Sequence, residues 1–211
     1  MSHTIEDLLL DAEIDAQDSK ADWEEMLSEH AAEVLEGFTA SRLKSFYIKN
    51  PGVAERALAA RSKAKKLIAD GHESAALVFA VTATELGYKV CVLRPIVSGL
   101  VHTEAMADLI MTLTTEHTGL DRFEELLTAI VDSFAGIDIK AYKRTGSKQL
   151  FWQEMNMVIK LRNAVVHRGE DATSTDAELS VKVAGTILDV LLPKVLAKLD
   201  LRLKGGRVVK A

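Results

Sequence analysis

Nineteen consecutive residues, AALVFAVTATELGYKVCVL (75–93), carry only two charged side chains, Glu85 and Lys89. A helix that is apolar on nearly every face has to be surrounded by other chain. The two charges, and the stop at Arg94-Pro95, argue against a membrane span, so the stretch reads as a buried core helix. The rest of the 211 residues must supply its cover. Three prolines, 5% aromatic residues and abundant Ala, Leu, Glu and Lys favour helix over strand. The expected fold is an all-α helical bundle with a four-helix core and additional N-terminal helices.

The pattern of apolar stripes divides the chain. Residues 4–17 place Ile5, Leu8, Leu9 and Ala12 on one side, and Asp22 with Glu25 forms a capping-box pattern for a second helix. Asn50-Pro51-Gly52 is a turn, with Pro51 suited to the first turn of a helix running to about Ala69. That helix shows a basic face of Arg56, Arg61, Lys63, Lys65 and Lys66, and Gly71 suits its C-terminal cap. Pro95 and Gly99 are expected to break the apolar helix. Two amphipathic helices near 103–116 and 120–134 follow, then a basic connector and a helix from about Lys148 to Val166. Thr175 and Glu178 form a second capping box, opening a last helix to about Leu203 that Pro193 should kink. The core is expected from 74–93, 103–134, 148–166 and 175–203. The expected domains are an acidic helical arm, 1–50, a helical bundle, 51–204, and a flexible basic tail, 205–211.

Charge is unevenly spread. Residues 1–36 hold twelve acidic side chains and one lysine, and residues 37–211 hold twenty-five Lys and Arg against nineteen Asp and Glu. An acidic arm on a basic body suits either solvated helix faces or a segment competing with a polyanion for the body. The one cysteine, Cys91, excludes an internal disulfide and a cysteine zinc cluster, and its apolar surroundings make it a core filler. No two histidines stand at helical ligand spacing, so no metal is expected. The acidic N-terminus is unlike a secretory or transit signal, and a cytoplasmic protein is expected.

The helix KQLFWQEMNMVIKLRNAVVH poses the chemical question. Phe151, Met155, Val158, Arg162 and Val165 fall within about 40° of one line at about 100° per residue. A guanidinium in that stripe costs several kcal/mol unless it is paired or faces a wet cleft. Asn163 and His167 share a face at i, i+4, but His167 lies about 140° from Arg162 on an unbroken helix. Joint action by Arg162 and His167 therefore requires the helix to bend or end early, or a second copy of the chain. Gly169 and the polar EDATS that follows suit an ending here.

The RNAVVH stretch resembles the signature of the HEPN superfamily: Arg, often followed by Asn, then His a few residues on, near the end of a core helix. TATELGYKV is similar to the family's early core helix, in which Glu85 takes the place of a common acidic residue. The resemblance spans roughly residues 52–203 and implies a four-helix bundle, frequently dimeric. It also implies a metal-independent endoribonuclease of a toxin–antitoxin or phage-defence system, with RNA, an antitoxin or a defence protein as partners and no cofactor. One departure stands out. A toxin branch that pairs with a nucleotidyltransferase antitoxin carries Tyr where this chain has Gly169, so that partner is not expected.

An imidazole ordinarily titrates near about pH 6.5 and suits removal of a 2′-hydroxyl proton. On this reading His167 is the base, Arg162 binds the phosphate and its developing charge, Asn163 orients either one, and Glu85 pairs with Arg162. Arg168, Lys143, Arg144 and Lys148 are candidates for RNA phosphates at the rim, as is the basic 56–66 face. Two other readings stand beside it: a catalytically silent interaction module with Arg162 as a structural strut, and a helical regulator with an amphipathic N-terminal arm.

Overall fold

The computed structural model describes residues 37–101 and 136–211. The expected helix at 4–17, the Asp22–Glu25 capping box and the two helices at 103–134 lie outside the described residues. The chain divides into two compact units between Ala40 and Ser41, ten residues before the boundary expected near Asn50. The reason is visible in helix α1, described over residues 37–49. Leu43 and Tyr47 are fully buried there, so this segment belongs to the body.

The described bundle is mostly helical. Helix α2 is Glu55–Ala69, α3 is Glu73–Leu86, α4 is Arg94–Leu100, α5 is Phe151–Arg168 and α6 is Ser174–Thr186. A short α7, Leu192–Ala197, precedes strands β1, Leu201–Lys204, and β2, Arg207–Lys210. Helix α3 lies at the centre and packs on α2, α5 and α6. Residues 51–54 form the expected turn, but α2 opens at Glu55, leaving Pro51 in the turn itself. Sequence reading took α2 for its basic face alone. It also belongs to the core, because buried Ala57 and Ala64 let it lie close against α3.

Helix α2 ends where expected. Gly71 adopts φ +74°, His72 N–H reaches Leu67 O at 2.8 Å and Gly71 N–H reaches Ile68 O at 3.1 Å. This pair of bonds closes the helix with a left-handed residue, which glycine adopts without steric cost. Helix α6 opens with a capping box, but on Thr173 and Asp176, two residues before the predicted pair. Asp176 N–H donates to Thr173 Oγ1 at 3.2 Å and Thr173 N–H to Asp176 Oδ2 at 3.0 Å. Both pairs fit the pattern, and the earlier start turns Ala177 and Ser180 into the core.

Pro95 does not break the apolar helix. Residues Glu73–Gly99 run as one helix, long and apolar enough by composition to cross a membrane, with 61% of its most apolar stretch buried inside the fold. The proline is accommodated by a wider π-helical turn, Gly87–Leu93, in which Arg94 N–H reaches back to Lys89 O. A proline in a helix leaves the carbonyl four residues earlier without its usual donor. Here that carbonyl is Cys91 O, and the buried Tyr47 hydroxyl donates to it at 2.7 Å. Pro193 is handled the same way. A π-helical turn, Ile187–Leu191, precedes it, with Leu192 N–H bonded to Ile187 O. The two wide turns pack against each other at Gly87, where a Cβ would stand 3.1 Å from Ile187 Cγ2.

The C-terminal segment corrects the expectation of a helix to Leu203 and a frayed tail. Helix α7 ends at Ala197 and residues 201–210 form an antiparallel hairpin, pairing Leu201 with Lys210 and Lys204 with Arg207. Gly205 and Gly206 both have positive φ, +59° and +82°, as a two-residue hairpin turn of this hand requires. Leu201 and Val208 are buried, and Val208 N–H bonds to Pro51 O at 2.8 Å, so the hairpin is anchored to the α1–α2 turn.

Two predictions follow from the Tyr47–Cys91 contact. Tyr47→Phe strands the Cys91 carbonyl and should cost about 1–3 kcal/mol in urea denaturation. Burial pushes the Cys91 thiol up to about 12 from 9.0. Burial, followed by the nearby Cys91, carries the Tyr47 phenol well above its ordinary range. Both raised groups stay protonated in the folded chain while the unfolded chain ionises. Stability is therefore full below about pH 9 and should fall as pH rises toward about 12. Cys91→Ala should flatten the first part of that fall, measured as denaturation midpoint against pH.

Candidate functional site

Helix α5 starts on the buried stripe and ends on the surface. Phe151, Met155 and Val158 are fully buried, whereas Arg162 and Val165 are only partly so. Arg162 thus sits where the stripe emerges, with its side chain 25% exposed. Its Nη2 donates to Glu85 Oε1 at 2.6 Å and its Nη1 to Asn163 Oδ1 at 2.9 Å. Glu85 comes from the last turn of α3 and is 29% exposed. The three residues make a hydrogen-bonded chain, Glu85–Arg162–Asn163, across the α3–α5 contact. The cost of bringing the guanidinium to the core edge is met by a charge partner and by remaining water contact.

His167 lies apart from this chain. Helix α5 is unbroken to Arg168, and Gly169 ends it in the left-handed region at φ +69°. The imidazole is exposed and makes no hydrogen bond among the described residues. The ending suggested by Gly169 is present, but it falls after His167. Within one chain, Arg162 and His167 therefore keep the angular separation of about 140° that an intact helix imposes.

The remaining candidates separate by partner. Arg144 grips Glu154 with two parallel bonds, Nη2 to Oε1 at 2.8 Å and Nε to Oε2 at 3.1 Å, and Ser147 Oγ donates to the same carboxylate at 2.7 Å. The Glu154 side chain is only 4% exposed. Arg144 thus fastens the 136–150 connector to α5, and its fork is not presented to a phosphate at the rim. Sequence reading missed Glu154, although an acidic residue among the buried Trp152, Met155 and Val158 was the signal. Arg168 is exposed and bound to Glu170 at 2.7 Å. Lys143 and Lys148 are exposed. On the basic face of α2, Arg61 is paired with Asp189 at 2.6 Å and Lys63 Nζ lies 4.1 Å from the Phe79 ring centre. Arg56, Lys65 and Lys66 are exposed.

Other features of the site follow from composition. Among the described residues, no three His, Cys, Asp or Glu side chains gather to hold a metal ion. One face of α5, from Gln153 through Met157, Leu161 and Ala164 to Arg168, borders an open groove of about 490 Å³. Val166, on the same helix, is 51% exposed.

Arg144→Ala should leave a buried carboxylate with Ser147 as its remaining partner and cost about 3 kcal/mol or more in chemical denaturation. Lys143→Ala and Lys148→Ala, at solvated positions, should stay within about 0.5 kcal/mol of the parent.

Comparison of the chain with protein-family models, with curated proteins and with solved structures finds no match in any of the three.

Proposed function

We propose that the protein is a metal-independent endoribonuclease of the HEPN type, acting as a homodimer in a toxin–antitoxin or phage-defence setting in the cytoplasm. The observation that carries this reading is the Glu85–Arg162–Asn163 chain: a guanidinium held rigid, partly open to water, and followed on the same helix by an exposed imidazole. The four packed helices α2, α3, α5 and α6 form the HEPN-like core of this proposal.

The chemistry uses the substrate's own 2′-hydroxyl. His167 takes its proton, and the oxygen forms a bond to the adjacent phosphorus. Arg162 binds the non-bridging oxygens, where negative charge grows in the transition state. The bond from phosphorus to the 5′-oxygen breaks, that oxygen takes up a proton, and the products are a 2′,3′-cyclic phosphate and a 5′-hydroxyl. Glu85 and Asn163 are positioning residues. They hold the Arg162 fork so that little reorganisation accompanies charge development.

An unbroken α5 sets the assembly. Because one chain holds Arg162 and His167 on different faces, the reaction centre combines Arg162 of one copy with His167 of another. The groove along Met157, Leu161 and Ala164 and the exposed Val166 supply apolar surface on α5 for that pairing. A second reading has an observation of its own. Both Arg162 nitrogens that Glu85 and Asn163 engage are already satisfied, which suits a strut in a catalytically silent interaction module.

Cleavage of total RNA in EDTA separates the two. Wild type should cleave, and Arg162→Ala and His167→Ala should each lose at least about 100-fold. Mixing the two inactive variants should restore up to about a quarter of wild-type activity, since half the dimers are mixed and each has one intact centre. Failure of the mixture to recover while singles are dead would place both groups in one chain. A wild type that never cleaves, with a folded Arg162→Ala, would leave the strut.

A further inference from the structure

Arg144 and Ser147 are the two ends of one tight turn in the connector 136–150, a stretch without helix or strand. Ser147 N–H donates to Arg144 O at 2.9 Å, and Gly146 inside the turn takes φ +80°, a value that favours glycine. The turn sets both side chains against one carboxylate. Glu154 Oε1 accepts from Arg144 Nη2 at 2.8 Å and from Ser147 Oγ at 2.7 Å, and Arg144 Nε reaches Oε2 at 3.1 Å. The carboxylate is nearly enclosed, whereas the tip of the turn faces water. Lys143, Thr145, Gly146, Lys148 and Gln149 are exposed, and a Cβ on Gly146 would meet nothing within 4 Å. Just beyond, Phe151 N–H donates to Tyr142 O at 2.8 Å and the two rings meet edge-on, which seals the connector onto the start of α5.

Lys143 and Arg144 stand four and three residues before Ser147. Kinases that select substrates by charge read basic residues just ahead of the acceptor, and they need that backbone free of helix and strand. Ser45 is exposed and has Arg42 at the same spacing, but it lies within helix α1 between buried Leu43 and Tyr47. Spacing does not separate the two serines, whereas the backbone does. The contact made by Ser147 also changes sign on modification. Its hydroxyl proton is what holds Glu154 at 2.7 Å. A phosphoryl group replaces that proton with a charge of about −1.5 to −2 beside a buried carboxylate. Arg144 already touches the same carboxylate oxygen, and the phosphoryl group offers its fork a higher charge and more acceptors. Glu154 is then left without donors in the protein interior, at a cost that favours release of the turn.

We propose that Ser147 is a phosphorylation site for a serine/threonine kinase that reads basic residues, and that its modification unlatches the connector from α5. Ser147 Oγ attacks the γ-phosphorus of ATP, the bond from that phosphorus to the bridging oxygen breaks, ADP leaves, and the hydroxyl proton passes to the kinase's catalytic carboxylate. Arg144 moves from Glu154 to the new phosphoryl group, and the bond from Phe151 N–H to Tyr142 O opens. This switch stands apart from the nuclease reading.

The test treats the full chain with ATP and the catalytic domain of a kinase that requires arginine three residues before the acceptor. Mass spectrometry should place phosphate on Ser147 and none on Ser45, and Ser147→Ala should take up none. Hydrogen exchange of the Phe151 amide, bonded to Tyr142 O in the unmodified chain, should then quicken at least about tenfold. Glu154→Gln removes the charge that the phosphoryl group opposes, so modification of that variant should change the same exchange rate by less than about threefold. A serine serving only as a structural latch would show no such dependence on the Glu154 charge. Should either variant fail to fold, phosphate mapping and Phe151 exchange on the wild-type chain decide the matter. No phosphate on Ser147 while the kinase labels its reference peptide, phosphate on Thr145 or Ser45 instead, or phosphate on Ser147 with Phe151 exchange unchanged would each overturn the proposal. Equal quickening in Glu154→Gln would do the same.

Discussion

The close approach of the two wide turns at Gly87 is the constraint on which the described fold depends. Each long apolar helix carries a proline, and a regular α-helix has no room for the ring against the carbonyl four residues back. Each widens into a π turn just before its proline, at Gly87–Leu93 and Ile187–Leu191, and the two turns then lie against each other. Gly87 permits that contact because Ile187 Cγ2 and Leu188 Cδ2 occupy the space a side chain would need. Tyr47 completes the arrangement by donating to the Cys91 carbonyl. That one phenol ties α1 to the long apolar helix.

Glu85 is the last acidic residue before the first wide turn, so the same packing that seats Gly87 also sets the carboxylate against Arg162. Two arginine–carboxylate pairs in the bundle illustrate different uses of one interaction. Arg144 and Glu154 are nearly enclosed, doubly bonded and joined by Ser147, and their geometry serves to fasten a connector. Arg162 and Glu85 remain a quarter or more exposed. A pair in that setting contributes roughly 1 kcal/mol or less to stability, because water screens the attraction. Its effect is orientation: the guanidinium is held in place at the core edge without being sealed off from water.

Much of this was legible in the chain. The Arg162–Glu85 partnership was readable because a charge on an apolar stripe demands a partner and the core helix offered one carboxylate. Gly71 and Gly169 announced helix ends, since only a left-handed residue closes them cheaply. Other features were misread for physical reasons. Pro95 breaks a regular helix, and nothing local says that a wide turn and a distant tyrosine will absorb it. The hairpin was hidden by its shortness, although Leu201, Leu203 and the Gly205-Gly206 turn carried an alternating pattern. Thr173 and Thr175 offered equivalent caps, and burial of Ala177 and Ser180 chose between them.

Periodicity, charge spacing and turn residues determined by themselves that this chain forms apolar helices, where most of the described ones end, and that Arg162 needs an acid. Those are short-range properties, set by side chains a few residues apart. Tertiary packing alone decided which cations remain available. Arg144, Arg61 and Lys63 look alike in sequence to Lys49 and Arg56, yet Glu154, Asp189 and Phe79 arrive from distant segments to engage the first three. It also decided that α5 runs straight past His167 to Arg168, which removes the early bend or ending that was one of the two ways Arg162 and His167 could act together.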